Sequence, residues 1–259
     1  MSMQGPSTTR TTLSERMVAD VSVIGIIFLW WLWSQNLPVY VMPGPVAVAK
    51  RMAELAIDPA FLGNAVLSVI RVAIALAIAM ILGTLLAILP FYIRASSHIV
   101  HRVIEPFFNS FPSLGWVLLA TIWFNVSEFT VLFIQVVILL PFCLINVAEG
   151  VRVLDAEIVE MGNSMTRRRA RVFFRIMLPL LIPYLIGAMR ISYGVAWKIA
   201  LLAELFGARS GIGYVMLQAQ VVADSVTMVA TCLYIVVLFG LGDWLVIRRL
   251  ARRFGEARR

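Results

Sequence analysis

Three ionisable residues, Arg190, Lys198 and Glu204, stand inside one long apolar run at 176–206. A charge at membrane depth is costly, about 2.5–3.5 kcal/mol on insertion scales, and usually faces protein or a water-filled cavity. On a continuous helix rising 1.5 Å per residue, Arg190 lies about 21 Å and Lys198 about 33 Å beyond Ile176, with Glu204 near the far mouth. Their eight-residue spacing sets the two cations within about 80° of each other, a face that could attract an anion. Each also has a structural reading. Arg190 could pair with a carbonyl or hold a neighbouring helix, and Glu204 suits tying down the Gly211-Ile212-Gly213 loop. Lys198 has the best claim to a solute, and Trp197 and Trp116 are the candidate path-lining aromatics.

The chemistry available elsewhere is thin. Cys143 and Cys232 each lie within an apolar run and read as small core residues. His98 and His101 sit beside Arg102 in a polar turn and read as solvated, with no metal site. No span contains a histidine and none carries H-E-x-x-H, so an intramembrane protease lacks a partner for its nucleophile or metal. There is no G-x4-G-K-[ST] phosphate loop, so the chain does not hydrolyse ATP itself.

These side chains need elements to hold them, and composition names the class. Of 259 residues, 61% are hydrophobic and 14% charged, and mean hydropathy is +0.92. A soluble domain is about half apolar and a quarter charged. Too few polar residues remain to cover a core, which leaves an all-α polytopic membrane protein. The net charge is +8. The arginines punctuate apolar runs, which sets aside a nucleic-acid partner and leaves lipid as the surrounding medium.

Apolar windows of about 20 residues, with few or no charges, place six transmembrane helices at about 18–37, 61–91, 106–127, 129–148, 176–206 and 225–247. The first follows Arg10 and Arg16 but has no small-x-small cleavage site, and reads as an uncleaved span. Pro106, Pro112 and Gly115 predict a kinked or re-entrant start to the third. Sixteen Lys and Arg fall on the side holding both termini and the 92–102 and 150–175 loops, against three on the other. The positive-inside rule therefore puts both termini in the cytoplasm of a multi-pass inner-membrane protein. On the outer side, Pro43-Gly44-Pro45 starts a short amphipathic helix over Val46–Ile57, expected at the membrane surface. Residues 1–259 read as a single transmembrane domain.

The 150–175 loop is acidic in front (Asp155, Glu157, Glu160) and basic behind (Arg167, Arg168, Arg169, Arg171), an order that suits a helix dipole. Apolar residues at 154, 158, 161 and 165 mark one face of a short helix.

The loop resembles the EAA loop of ABC-importer permeases, E-A-A-x3-G-x9-I-x-L-P. Glu160 stands for the glutamate, Gly162 for the second alanine and Thr166 for the glycine, with Ile176, Leu178 and Pro179 nine residues on. Met161, Gly162 and Thr166 depart from the pattern in type. Met42-Pro43-Gly44-Pro45, Arg71 and Ile122-Trp123-Phe124 resemble features of the taurine/nitrate/sulfonate/bicarbonate group. So do Arg190, Gly194, Trp197, Ala203-Glu204 and Ser210-Gly211-Ile212-Gly213-Tyr214. The resemblance implies the type I importer permease fold, a non-catalytic transport subunit. It implies a coupling helix, carrying Glu157, Glu160, Met161, Gly162, Thr166 and Arg167, that docks on an ATPase subunit. It further implies two ATPase subunits holding ATP and Mg, a second permease copy as a homodimer, and a periplasmic binding protein that delivers the solute. Within the group that solute is a sulfonate, nitrate, bicarbonate or carboxylate, or an uncharged vitamin or pyrimidine precursor. The rival classes are a stand-alone carrier or channel and an intramembrane enzyme.

Overall fold

The structure, a computed structural model, describes residues 13–93, 95–153, 161, 164, 169–247 and 249. Among these every regular element is helical and no strand occurs. We number the helices α1 (Leu13–Ser34), α2 (Pro45–Ile57) and α3 (Pro59–Tyr92). The bent pair α4 (Ser96–Ser110) and α5 (Ser113–Phe124) follows. Then come α6 (Glu128–Val153), α7 (Phe173–Gly207), α8 (Ile212–Val221) and α9 (Ser225–Gly242), the last continued by a π-helical turn over Asp243–Ile247.

The central span is α6. Of its most apolar window 61% is buried, against 17% for α7 and for α9. It packs closely on α3 because α3 presents a stripe of small residues, Ala75, Ala79, Gly83 and Ala87, one every four positions. Small residues at this spacing let two membrane helices bring their backbones together, where lipid supplies no hydrophobic drive. At Gly83 the approach is closest: a Cβ there would stand 2.7 Å from the Cys143 Cβ and 2.9 Å from the Leu144 nitrogen. Ala75, Ala79 and Cys143 are fully buried in the resulting core with Val131, Ile134 and Leu139.

The expected kink in the third span is a bend of 85° between α4 and α5. Phe111 is extended (ψ 127°) because the ring of Pro112 excludes the helical conformation from the preceding residue. Pro112 also brings no N–H to continue the ladder. The window 106–127 is therefore two pieces, and α5 alone has only 12 residues. Among the described residues four helices are long and apolar enough to cross a membrane, five if the bent pair counts as one span. The first expected span corresponds to α1, whose apolar part, Asp20–Ser34, is shorter than these.

Helix ends also differ from the charge-free windows. Glu149 and Arg152 stop the apolar window but not the helix, and α6 runs on to Val153. On the other side of the expected 150–175 loop, helix resumes by Arg169. It then makes a π-helical turn at Phe173–Met177, where the Leu178 N–H bonds back to the Phe173 carbonyl. That wide turn sits just before Pro179 and Pro183, neither of which can donate to the ladder.

Short-range signals set α2. Gly44 is its N-cap and Pro45 its first residue, a position where a missing N–H costs nothing. Val48 and Leu55 are buried against Phe61 and Ala230, while Val46 and Ala56, expected on the same apolar face, are exposed. The Tyr234 hydroxyl donates to the Met52 carbonyl. The Arg51 Nε donates to the Thr227 hydroxyl at 2.9 Å, tying α2 to the first turn of α9. That turn is capped by Asp224, which accepts from the Thr227 N–H at 3.0 Å and from its hydroxyl at 2.6 Å. α1 is anchored to the α2 entry by the Trp30 indole, which donates to the Pro43 carbonyl at 3.0 Å.

Partial burial disfavours the Asp224 charge. The Thr227 hydroxyl and N–H, with the Arg51 charge nearby, outweigh it and hold the carboxyl below its ordinary value of 3.8. A carboxyl whose folded pKa is depressed contributes stability above its unfolded pKa and loses it as pH falls through the folded one. Asp224→Ala is expected to cost about 1 kcal/mol, as removal of a helix N-cap does. The fall in melting temperature between pH 6 and about pH 3, just below the unfolded carboxylate range, should be smaller in Asp224→Asn than in wild type. Equal falls would show that this cap does not titrate with folding.

Candidate functional site

Two groups of side chains stand out where α3, α6, α7 and α9 meet. In the first, Arg71 of α3 is almost fully buried, at 3% exposure, and uses all five of its donor hydrogens. Its Nε and one terminal nitrogen fork onto Glu128 at the start of α6, at 2.8 and 2.5 Å. That same nitrogen reaches the Ser210 hydroxyl at 2.6 Å. The other nitrogen donates to Glu204 of α7 at 2.9 Å and to the Ser210 carbonyl at 2.8 Å. Glu204 is 1% exposed and equally occupied. It accepts from the Ser68 hydroxyl at 2.7 Å and from the Gly213 N–H at 2.9 Å. Two further donors of the 208–213 turn are held by α3: the Gly211 N–H donates to Asn64 Oδ1 at 2.6 Å, and the Ile212 N–H to Ser68 Oγ at 2.9 Å. A buried ion group survives desolvation only when its remaining donors and acceptors are also matched, and here they are. Glu128 differs, at 65% exposure, so the cluster has a sealed half and a solvent-facing half.

The second group is a groove of about 710 Å³ between α7 and α9, whose lining includes Lys198, Trp197, Val195, Leu201 and Phe239. Lys198 is exposed and, among the described residues, has no hydrogen-bond or ionic partner. Arg190 is likewise exposed and unpartnered but is not part of this lining. The two cations therefore share a helix without sharing a cavity. Trp197 is 4% exposed and edges both this groove and a larger one, of about 1140 Å³, between α3, α7 and α9. Trp116 lines neither and is packed among Phe107, Phe108, Phe111 and Phe133. Glu204, also expected along the path, sits inside the protein and ties down the 211–213 turn.

The family description "Binding-protein-dependent transport system inner membrane component" matches residues 79–255, well over half of the chain. The chain belongs to this family. Among its relatives is a probable ABC transporter permease protein of Brucella melitensis, 29% identical over 212 residues, 81% of this chain and 84% of that one. A putative aliphatic sulfonates transport permease protein of Bacillus subtilis is 26% identical over 181 residues, 70% and 65% of the two chains. The taurine transport system permease protein of Escherichia coli is 25% identical over 262 residues, 95% and 94% of the two. These relatives confirm the all-α membrane permease architecture and the group expected from the motifs.

In this permease component, Glu157, Glu160, Gly162, Thr166 and Arg167 of the expected coupling helix lie outside the described residues. Met161 is helical and 53% exposed. Sequence reasoning missed Asn64, Ser68 and Glu128, and named Arg71 and Ser210 by resemblance without joining them. The signal was present: Asn64, Ser68 and Arg71 follow the i, i+4, i+7 spacing of one helix face in an otherwise apolar span. A polar stripe on a membrane helix asks for partners on a neighbour.

Proposed function

We propose that this chain is the membrane-spanning subunit of an ATP-driven importer, and that it forms the path for a small anionic solute along α7. The observation that carries the reading is two cations, Lys198 and Arg190, both exposed and without a partner among the described residues, on a helix of membrane-spanning length. Only Lys198 lines the groove, and the cost of each charge in lipid is offset where its own side of α7 looks onto a water-filled path. α7 and α9 bury little of themselves within one chain, which fits a path completed by a second copy. The name of the aliphatic sulfonates relative agrees with an anionic cargo. The sixteen-to-three distribution of Lys and Arg puts the 150–175 loop and both termini in the cytoplasm. There the loop would meet two ATPase subunits that bind ATP and Mg, while a periplasmic binding protein delivers solute to the opposite face. ATP-driven closure of the ATPase pair must contact the two permease states differently, because a partner with equal affinity for both shifts nothing.

The test combines assembly and coupling. The detergent-solubilised complex should have the mass of two permease chains and two ATPase subunits. Glu160→Lys should leave membrane insertion intact and lower transport at least tenfold, with weakened ATPase association. A monomer that transports alone, or a Glu160→Lys variant at the wild-type rate, would sink the reading.

A further inference from the structure

Resting on that path, we infer that the α7–α9 groove selects a monoanion carrying an apolar tail, such as an aryl or longer alkyl sulfonate or carboxylate, over small hydrated anions and zwitterions. The argument is one of charge count and lining. Lys198 is the single charged side chain among the groove's lining residues, the Cys232 thiol being neutral, and Val195, Leu201, Ile235, Val236 and Phe239 present only hydrocarbon. The nearest acid along its own helix, Glu204, is fully engaged by Arg71, Ser68 and Gly213. One ammonium group neutralises one negative charge and offers three donors. Bicarbonate or nitrate would exchange a full hydration shell for those three, and the hydrocarbon walls return nothing. A zwitterion such as taurine fares worse, because its own ammonium finds no carboxylate there and meets Lys198 as a like charge. An apolar tail gains instead, about fourfold in affinity for each methylene it buries. The volume, about 710 Å³, falls within the range of small-molecule pockets.

An anionic lipid shares this chemistry, so the test separates it from a soluble solute. The full-length chain is placed in phosphatidylcholine nanodiscs, and binding of 4-toluenesulfonate, methanesulfonate, taurine and bicarbonate is measured by equilibrium dialysis. 4-Toluenesulfonate is expected to bind at least tenfold more tightly than the other three. Lys198→Met should erase that preference by weakening 4-toluenesulfonate at least tenfold, and Lys198→Arg should restore it. Adding phosphatidylglycerol should leave the dissociation constant unchanged. A tenfold loss on adding it assigns the groove to lipid and overturns the inference. Methanesulfonate or bicarbonate binding as tightly as 4-toluenesulfonate also overturns it, while leaving an anion path through Lys198 in place. If no anion binds and Lys198→Met transports normally in the assembled complex, the anionic path itself fails as well.

Discussion

Arg71→Met is expected to cost about 3–5 kcal/mol, the usual consequence of removing one member of a buried ion pair. Methionine fills much of the space left by the arginine stem, so the loss is electrostatic rather than a cavity. Glu204 would keep the Ser68 hydroxyl and the Gly213 N–H but lose its countercharge inside the protein. Ser210 would lose both donors that hold its carbonyl and hydroxyl. Glu128 suffers least, because its carboxylate is largely exposed and returns to solvent. The melting temperature of the detergent-purified chain should fall by on the order of 10 °C. The decisive arm is the double variant Arg71→Met/Glu204→Gln. The amide still accepts from Gly213 and removes the stranded charge, so it should recover more than half of the loss. An Arg71→Met variant that melts with the wild type would show that the cluster is not what joins α3, α6 and α7. Failure of the double variant to recover would assign the loss to packing.

What the sequence made legible follows from which forces are local. Helix positions were readable because insertion depends on the summed apolarity of about 20 consecutive residues, and Pro45 marks the start of α2 through its own missing N–H. The break at Pro112 was readable for the same reason: proline acts on itself and on the residue before it. The tie between Glu204 and Gly213 spans only nine residues and was anticipated as a loop contact. Partners far apart in sequence were not legible. Glu128 served only to delimit a span, and nothing at position 128 announces that Arg71, 57 residues earlier, forks onto it. The length of α6 beyond Glu149 was hidden because a charge ends the apolar window without ending the hydrogen-bond ladder. Path roles were obscured differently. Trp116 and Trp197 are the same residue type, and only packing separates one enclosed by phenylalanines from one that edges two grooves.

Gly211→Ala is expected to break the same cluster from its other side, and the reason is steric. Gly211 has φ +101° and ψ 168°, a region of backbone space essentially restricted to glycine, where another residue costs of order 1–3 kcal/mol. The clash adds to that strain. An alanine Cβ would lie 2.4 Å from the Glu204 Cδ and Oε1 and 2.5 Å from Oε2, inside any allowed contact. Glu204 cannot swing away without releasing Arg71, Ser68 and Gly213 together. The turn must therefore move, and with it the Gly211 N–H that donates to Asn64. Ser210→Ala, one position earlier, removes a hydroxyl that accepts from Arg71 and donates to the exposed Glu128 at 3.4 Å and should cost about 1–2 kcal/mol, the net worth of one good and one long hydrogen bond. Gly63→Ala is the control, because a Cβ there meets nothing within 4 Å and the position lies inside α3, where alanine is the better helix former. The expected order of melting temperatures is Gly63→Ala at or above wild type, Ser210→Ala slightly below, and Gly211→Ala lowest. If Gly211→Ala melts no lower than Ser210→Ala, the turn is free to relax around Glu204, and the clamp between α3 and the 208–213 segment is not rigid.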